Sequence, residues 1–486
     1  MTHWLTKYPR LQRLLFKPAG KISFWRHQNR LPKLAPTAPD PVTPDMVPQP
    51  LEGYTQAHHY RPGQTIVFYL KAQQPQNLLQ LQYLARGKNW ETLAQYSFEK
   101  IHQSDTFEEA QQGCAWEPSW EYNLSPDAPQ GYYRALLSNP LLEKPAEIHF
   151  IVGQAQAKAR VAVLAPVTTW LAYNAYGGQS LYRNAIAPAT VPYVSMHRPN
   201  TALTYKATHS MQHNLLIESN IFYWISDQFQ ADLLPDYYLQ AHPELLQQYQ
   251  VLVLAYHAEY FTQEMHQSLR ALVFNGQKSL LALGGNQVYW QVKWHRNFTQ
   301  IECRKDATLF QDSDEKGKLF RHTPQPEVQL FGCQFTEAGM GTYAPYQVVA
   351  SEHWLYKGCS VKQGQIFGEA GVDGLPICGD ETDKTTWGTP KNSTVLARGL
   401  NKTSAVSEMD VYAHTNPEWN GSGGGEVVFT KISEKQAILA TGAIHSGAGL
   451  GHDKVFTHLI QNFMQKYAGT SSHGTTSSET AAAPAS

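Results

Sequence analysis

Between Val251 and Glu264 the chain reads VLVLAYHAEYFTQE. An aliphatic run of the kind that fills a buried strand ends abruptly in His257, Glu259 and Tyr260. An imidazole and a carboxylate placed there can move protons. The pair alone is as consistent with a satisfied strand end as with an active site. Two other apolar runs end in the same manner. RVAVLAP leads into VTTWLAYNAYGGQSLY, with Tyr173, Asn174, Tyr176 and Tyr182, and SLLALGG leads into Asn286. One polar residue at a strand end carries little weight. Three strand ends that deliver Tyr, His, Glu and Asn to one edge define a candidate site.

Other patterns point less clearly. His209 and His213 have the i, i+4 spacing of a helical metal pair. No acidic third partner is adjacent, so a partly exposed helix face is expected. GAGLG, from Gly447 to Gly451, lacks the strand-then-helix context of a phosphate loop and reads as a turn. No GxSxG or GxCxG elbow occurs, so Ser or Cys nucleophilic catalysis has no support.

The elements that must position these residues follow from periodicity. From Arg160, short continuous apolar runs alternate with segments of helical spacing, as in a parallel sheet covered on both faces. Thr262 is a cap for the helix QEMHQSLRALVFNG, which Gly276 ends. This alternation predicts an α/β domain over residues 158–468 with a doubly wound, mostly parallel sheet, whose ligands bind beyond the carboxyl ends of the strands. GGGEVVFTKI and QAILATGAI form an expected hairpin, and KVFTHLIQNFMQKY a closing helix. Upstream, TIVFYLKA, LLQLQYLAR, GYYRALL and EIHFIVG are strand signals separated by turns, which predict a β-sandwich over 51–157. Residues 1–50 form a basic, Pro-rich arm and linker, with eight Lys or Arg before the first acidic residue, Asp40. Residues 469–486 are small and polar, an expected disordered tail.

Composition narrows the classes. The chain has 486 residues and a net charge of −1, so no global basic field recruits nucleic acid or an anionic membrane. The 26 Tyr and 12 Trp suit an aromatic-lined pocket, though aromatic-rich β domains look the same. Five scattered cysteines without CxxC spacing argue against a disulfide framework or structural zinc and fit a reducing compartment. No stretch reaches the ~20 apolar residues of a membrane span, and the N-terminus lacks a secretory apolar region. The cytoplasm and a homo-oligomeric state are the expectations.

TWLAYNAYGGQSLY, VLVLAYHAEYFT, LLALGGNQVYW and GDETDKTTWGTPKNSTVLARG, in that order, resemble the large (β) subunit of N,N-dimethylformamidase and its relatives. The resemblance covers roughly residues 51–468, with QGYYRALL similar to the family's SGxY segment. It implies a C-terminal domain related to class I glutamine amidotransferases, with a mononuclear ferric site where those enzymes carry a cysteine. By motif, the iron ligands implied are Tyr133, Tyr173 and Glu259, with Tyr132 the neighbouring alternative to Tyr133. His257, Asn286 and Glu381 are the implied catalytic residues around the metal. Three hard anionic oxygens suit trivalent iron, which activates water toward an amide. A small partner subunit is also implied, while residues 1–50 are too few for the additional lectin-like domain of the family's amidase.

The expected function is iron-dependent hydrolysis of a small, formamide-like amide. The alternative is a catalytically silent amidotransferase-like module that binds a small ligand or a protein partner. A sugar-processing enzyme using Glu259 and Glu381 as paired carboxylates is a third reading.

Overall fold

A computed structural model describes residues 39–43, 46–104, 109–187, 191–208, 211–305, 319–336, 339–402 and 424–469. Most of the expected basic arm and nearly all of the expected tail lie outside the described residues, as does His209.

The N-terminal part holds two sheets on one core. Leu51–Thr55, Thr65–Ala72 and Trp120–Asn123 form an antiparallel sheet. The second sheet has the order His59–Tyr60, Ala146–Val152, Gly131–Ser138, Asn77–Ala85, Asn89–Phe98. Alternation sends Phe68, Leu70, Leu79, Leu81, Tyr133 and Phe150 into the shared core. The opposite faces of the same strands send Leu84, Tyr132 and Ile151 toward the rest of the molecule.

That remainder is built on a nine-stranded sheet. Its strands in chain order are β1 (Val161–Ala165), β2 (Ala231–Pro235), β3 (Val251–Tyr256), β4 (Ser279–Gly284), β5 (Tyr346–Val348), β6 (Ile366–Phe367), β7 (Ser393–Gly399), β8 (Glu426–Ser433) and β9 (Gln436–Ala440). They lie in the order β2-β1-β3-β4-β9-β8-β7-β5-β6. Pairing is parallel from β2 to β9 and antiparallel from β9 to β6. Helix α1 (Leu215–Phe229) and α3 (Lys454–Tyr467) share an apolar cluster with one face, through Val161, Val163 and Ala165 of β1. Helix α2 (Gln263–Phe274) shares another with the opposite face, through Ala162 and Leu164.

The expected doubly wound, mostly parallel α/β fold related to glutamine amidotransferases is corrected here. Among the described residues strand outweighs helix, 36% against 20%, and the strands fall into several mixed and antiparallel sheets. The parallel pattern between Val161 and Gly284 is local. Beyond β4 the chain adds antiparallel strands to the large sheet and forms further small sheets, such as Gln334–Thr336 with Thr382–Lys384. The hairpin of β8 and β9 and the helix α3 are present. Thr262 caps α2, its hydroxyl accepting from the Met265 amide at 3.0 Å. Among the described residues no helix is long and apolar enough to cross a membrane.

Candidate functional site

Three turns leave the carboxyl ends of β1, β3 and β4 on the same side of the sheet. After β1, Pro166 opens a short helix, Val167–Ala172, and Tyr173 caps its end. That helix is tied down residue by residue. The amide and hydroxyl of Thr168 donate to the buried Asp236 carboxylate. The Thr169 hydroxyl accepts the Glu259 amide at 3.1 Å, joining the β1 turn to the β3 turn.

Tyr182 arrives from the loop that follows. Arg198, fully buried, shapes this loop by donating to the carbonyls of Asn174 (2.8 Å), Tyr176 (2.8 Å) and Gln179 (2.9 Å). A guanidinium can serve several carbonyls at once because its donors lie in a fixed planar fork.

The β3 turn is bent. Tyr256 has a φ of 57°, a left-handed conformation that is costly for a bulky residue, and Asn286 (48°) and Val288 (55°) share it in the β4 turn. Gln287 clamps the two turns together. Its side-chain oxygen accepts from the Ala258 amide, and its nitrogen donates to the Tyr256 carbonyl.

These constraints bring oxygen atoms together. The Tyr173 hydroxyl donates to Glu259 Oε2 at 2.7 Å. The Tyr182 hydroxyl lies 2.8 and 2.9 Å from the two Glu259 oxygens and 3.1 Å from the Tyr173 hydroxyl. His257 Nε2 lies 3.1 Å from the Tyr173 hydroxyl and 3.2 Å from Glu259 Oε2. Its Nδ1 meets the Gly285 carbonyl at 3.2 Å, which only a protonated Nδ1 can satisfy. Glu381 stands 4.0 Å from His257 and accepts from Asn286 Nδ2 at 2.7 Å. Asn286 Oδ1 is buried without a hydrogen-bond partner among the described residues.

The electrostatics follow. Burial opposes charge on His257, but the Glu259 carboxylate bonded to it and nearby Glu381 raise its pKa to about 9. Burial works against Glu259 as well, and His257, Lys305 and Tyr173 together hold its carboxyl below the usual range. Glu381 is pushed up to about 7, mainly by burial, with Glu259 and Asp380 adding repulsion. Burial and the Glu259 charge push both phenols well above the ordinary tyrosine value. Lys305 sits 3.3 Å from the centre of the Tyr182 ring, 4.8 Å from those of Tyr260 and Trp290, and donates to the Tyr260 hydroxyl.

Of the residues singled out from the sequence, Tyr173, His257, Glu259, Asn286 and Glu381 meet here. Tyr133 does not. Its side chain lies in the N-terminal core, and its hydroxyl donates to the Pro129 carbonyl at 2.6 Å. Strand alternation turns Tyr132 the other way, where its hydroxyl donates to Glu218 at 2.8 Å. The second phenol beside Glu259 is that of Tyr182. His213 is likewise not on an exposed helix face. It is buried, in a two-residue strand ahead of α1, and bonded to Glu218 and Trp170. Tyr260 is fully buried, edge-on against both Tyr173 and Tyr182. Arg198, Gln287 and Lys305 had no signal in the sequence, since nothing local marks which side chains of a loop turn inward.

Among the described residues no group of three or more His, Cys, Asp or Glu converges in a way that could hold a metal. The converging donors are two phenols and one carboxylate. As hard oxygen donors at one point they fit a trivalent cation by type.

The family described as N,N-dimethylformamidase beta subunit-like, C-terminal, matches residues 82–456. The N,N-dimethylformamidase beta subunit of Alcaligenes sp. is 20% identical over 385 residues, covering 68% of this chain and 50% of that protein. The chain therefore spans about half the length of the curated relative it matches. With a family match extending over most of its length, this chain belongs to the N,N-dimethylformamidase beta subunit-like family.

Proposed function

We propose that this protein hydrolyses the C–N bond of a small, formamide-like amide at the Tyr173–Tyr182–Glu259 cluster. The observation that carries the reading is the meeting of two phenol oxygens and one carboxylate, with distances of 2.7–3.1 Å among them, beside His257 in a member of this family. Tyr173, Tyr182 and Glu259 would hold a single ferric ion. Burial keeps the two phenols protonated in its absence, so their ionisation calls for a strongly electropositive centre. When bound, the ion supplies Lewis acidity toward the amide carbonyl and lowers the pKa of water at the site.

The chain's own groups do the remaining work. The Gly285 carbonyl accepts from His257 Nδ1 and leaves Nε2 facing the reacting region; with its pKa raised to about 9 the ring is protonated at neutral pH, so Nε2 donates a proton there and takes one back. Glu381, with a pKa near 7, holds a proton at neutral pH that it delivers to the departing amine. Asn286 donates one of its two amide hydrogens to Glu381, which leaves the other N–H for a developing oxyanion and Oδ1 as an acceptor for water or a substrate N–H. The name of the Alcaligenes relative, a beta subunit, supports association with a partner subunit.

Metal analysis, the visible spectrum and amine release from N,N-dimethylformamide and related formamides test the proposal together. About one iron per chain, a tyrosinate absorption band and amine release are expected. A colourless protein that takes up no iron on loading and releases no amine would instead support a silent binding module.

A further inference from the structure

Glu218 is a fully buried carboxylate with partners from three separate elements. Its Oε1 accepts from the hydroxyl of Tyr132, on the strand Gly131–Ser138 of the N-terminal sheets, at 2.8 Å. Its Oε2 accepts from the Trp170 indole at 3.0 Å and pairs with His213 Nε2. Around this carboxylate the two halves of the molecule are in close contact. The Tyr132 amide donates to the Tyr223 hydroxyl at 3.2 Å, and Gln130 exchanges bonds with Ala231 and Leu233 of β2 at 2.8 and 2.9 Å. Gly131 is required in this seam, since a Cβ there would come within 2.4 Å of the Tyr223 hydroxyl.

From Glu218 two short routes lead to the oxygen cluster. Trp170 lies on the helix that Tyr173 caps, next to Thr169, whose hydroxyl accepts the Glu259 amide. His213 stacks edge-on against Tyr256 at 4.8 Å, and Tyr256 is the left-handed residue immediately before His257. A single buried anchor thus touches the support of both turns that carry the cluster.

We propose that Glu218 is a positioning residue through which the N-terminal sheets set the geometry of Tyr173, Glu259 and His257, making those sheets part of the catalytic apparatus rather than a separate appendage. Glu218 reaches no reacting atom. It acts by holding Trp170 and His213, and Tyr132 holds Glu218. The kinetic arm of the test rests on the amide-hydrolase reading, whereas the structural arm does not.

The test uses the full chain with Trp170→Phe, which keeps the packing and removes the indole donor, together with Tyr132→Phe and Glu218→Gln. Crystal structures should show the Tyr173 hydroxyl displaced from Glu259 in Trp170→Phe. Its kcat for formamide hydrolysis should fall by ~10-fold or more with KM changed less than ~2-fold, as expected when preorganisation rather than binding is lost. Glu218→Gln, which keeps an acceptor for the indole, should retain more activity than Trp170→Phe. Should Trp170→Phe fail to fold, Tyr132→Phe and Glu218→Gln carry the same comparison. Variants that fold with the Tyr173–Glu259 contact and kcat unchanged overturn the inference. A wild-type chain without amidase activity would defeat the functional reading alone, because displacement of Tyr173 would still decide the role of Glu218.

Discussion

The Tyr182 hydroxyl reaches both oxygens of Glu259, at 2.8 and 2.9 Å, across 77 residues of sequence. This relationship shifts the second phenol of the site from the N-terminal sheets to the loop after β1. Tyr182→Phe is therefore expected to abolish iron uptake and cut amide hydrolysis by at least ~100-fold, in line with loss of a group acting directly at the reacting centre. Tyr133→Phe removes only the bond to Pro129 and is expected to cost ~1 kcal/mol of stability with activity retained. Iron content and amine release for the two variants separate these outcomes.

Arg198 predicts a different kind of loss. Two of its three bonds to loop carbonyls, those to Asn174 and Tyr176, are buried, and no smaller side chain can replace that fork. Arg198→Met should destabilise the chain by roughly 2–4 kcal/mol, since buried carbonyls are left unsatisfied. Arg198→Lys should recover little of this, because one ammonium cannot span three acceptors. Urea denaturation measures the cost, and iron content shows whether Tyr182 keeps its place.

Glu381 predicts a pH profile. With its pKa raised to about 7 it is protonated at lower pH, and as a proton donor to the amine it is active in that form. The kcat should therefore fall as pH rises through ~7, with other groups setting the acid side. Glu381→Gln should lower kcat and remove that particular limb. A Gln variant that retains the same inflection near 7 would take Glu381 out of the proton-transfer role.

Far from the site, Glu147 predicts acid sensitivity of the N-terminal sheets. Burial opposes its charge, but His149 and Arg134 outweigh that and lower its pKa to about 2. A carboxyl whose pKa is lower in the folded state gives stability that is present above its unfolded value, near ~4.3, and is lost as pH falls toward 2. The midpoint of thermal unfolding should drop between about pH 4.3 and 2, the window those two values set, more steeply in the wild type than in Glu147→Gln.

Much of the site was legible because it sits at strand ends. A continuous apolar run that stops at a polar residue marks the carboxyl edge of a sheet, and Tyr173, His257 and Asn286 all follow such runs. Tyr132 and Tyr133 were not separable, because adjacent strand residues face opposite ways and the sequence does not say which face meets the site. Tyr182 was visible as a polar residue in the right loop, but its role depends on Arg198, sixteen residues further on. Lys305 lies in ECRKD, where no local pattern marks which charge turns inward, and it packs against three aromatic rings. The full sheet is illegible in the sequence for a related reason. Periodicity reports each segment in isolation, so the parallel stretch from β1 to β4 said nothing of the antiparallel strands that complete the sheet.

The left-handed backbone at Tyr256 makes one residue serve two opposed demands. Glycine would adopt that φ without strain, relieving on the order of 1 kcal/mol. It would also delete the ring that braces His213, and with it a support of the turn carrying His257. Tyr256→Gly would also leave a cavity in the main core, costing about 3–5 kcal/mol against the strain relieved, so packing of the ring holds this residue at a φ that its own backbone disfavours.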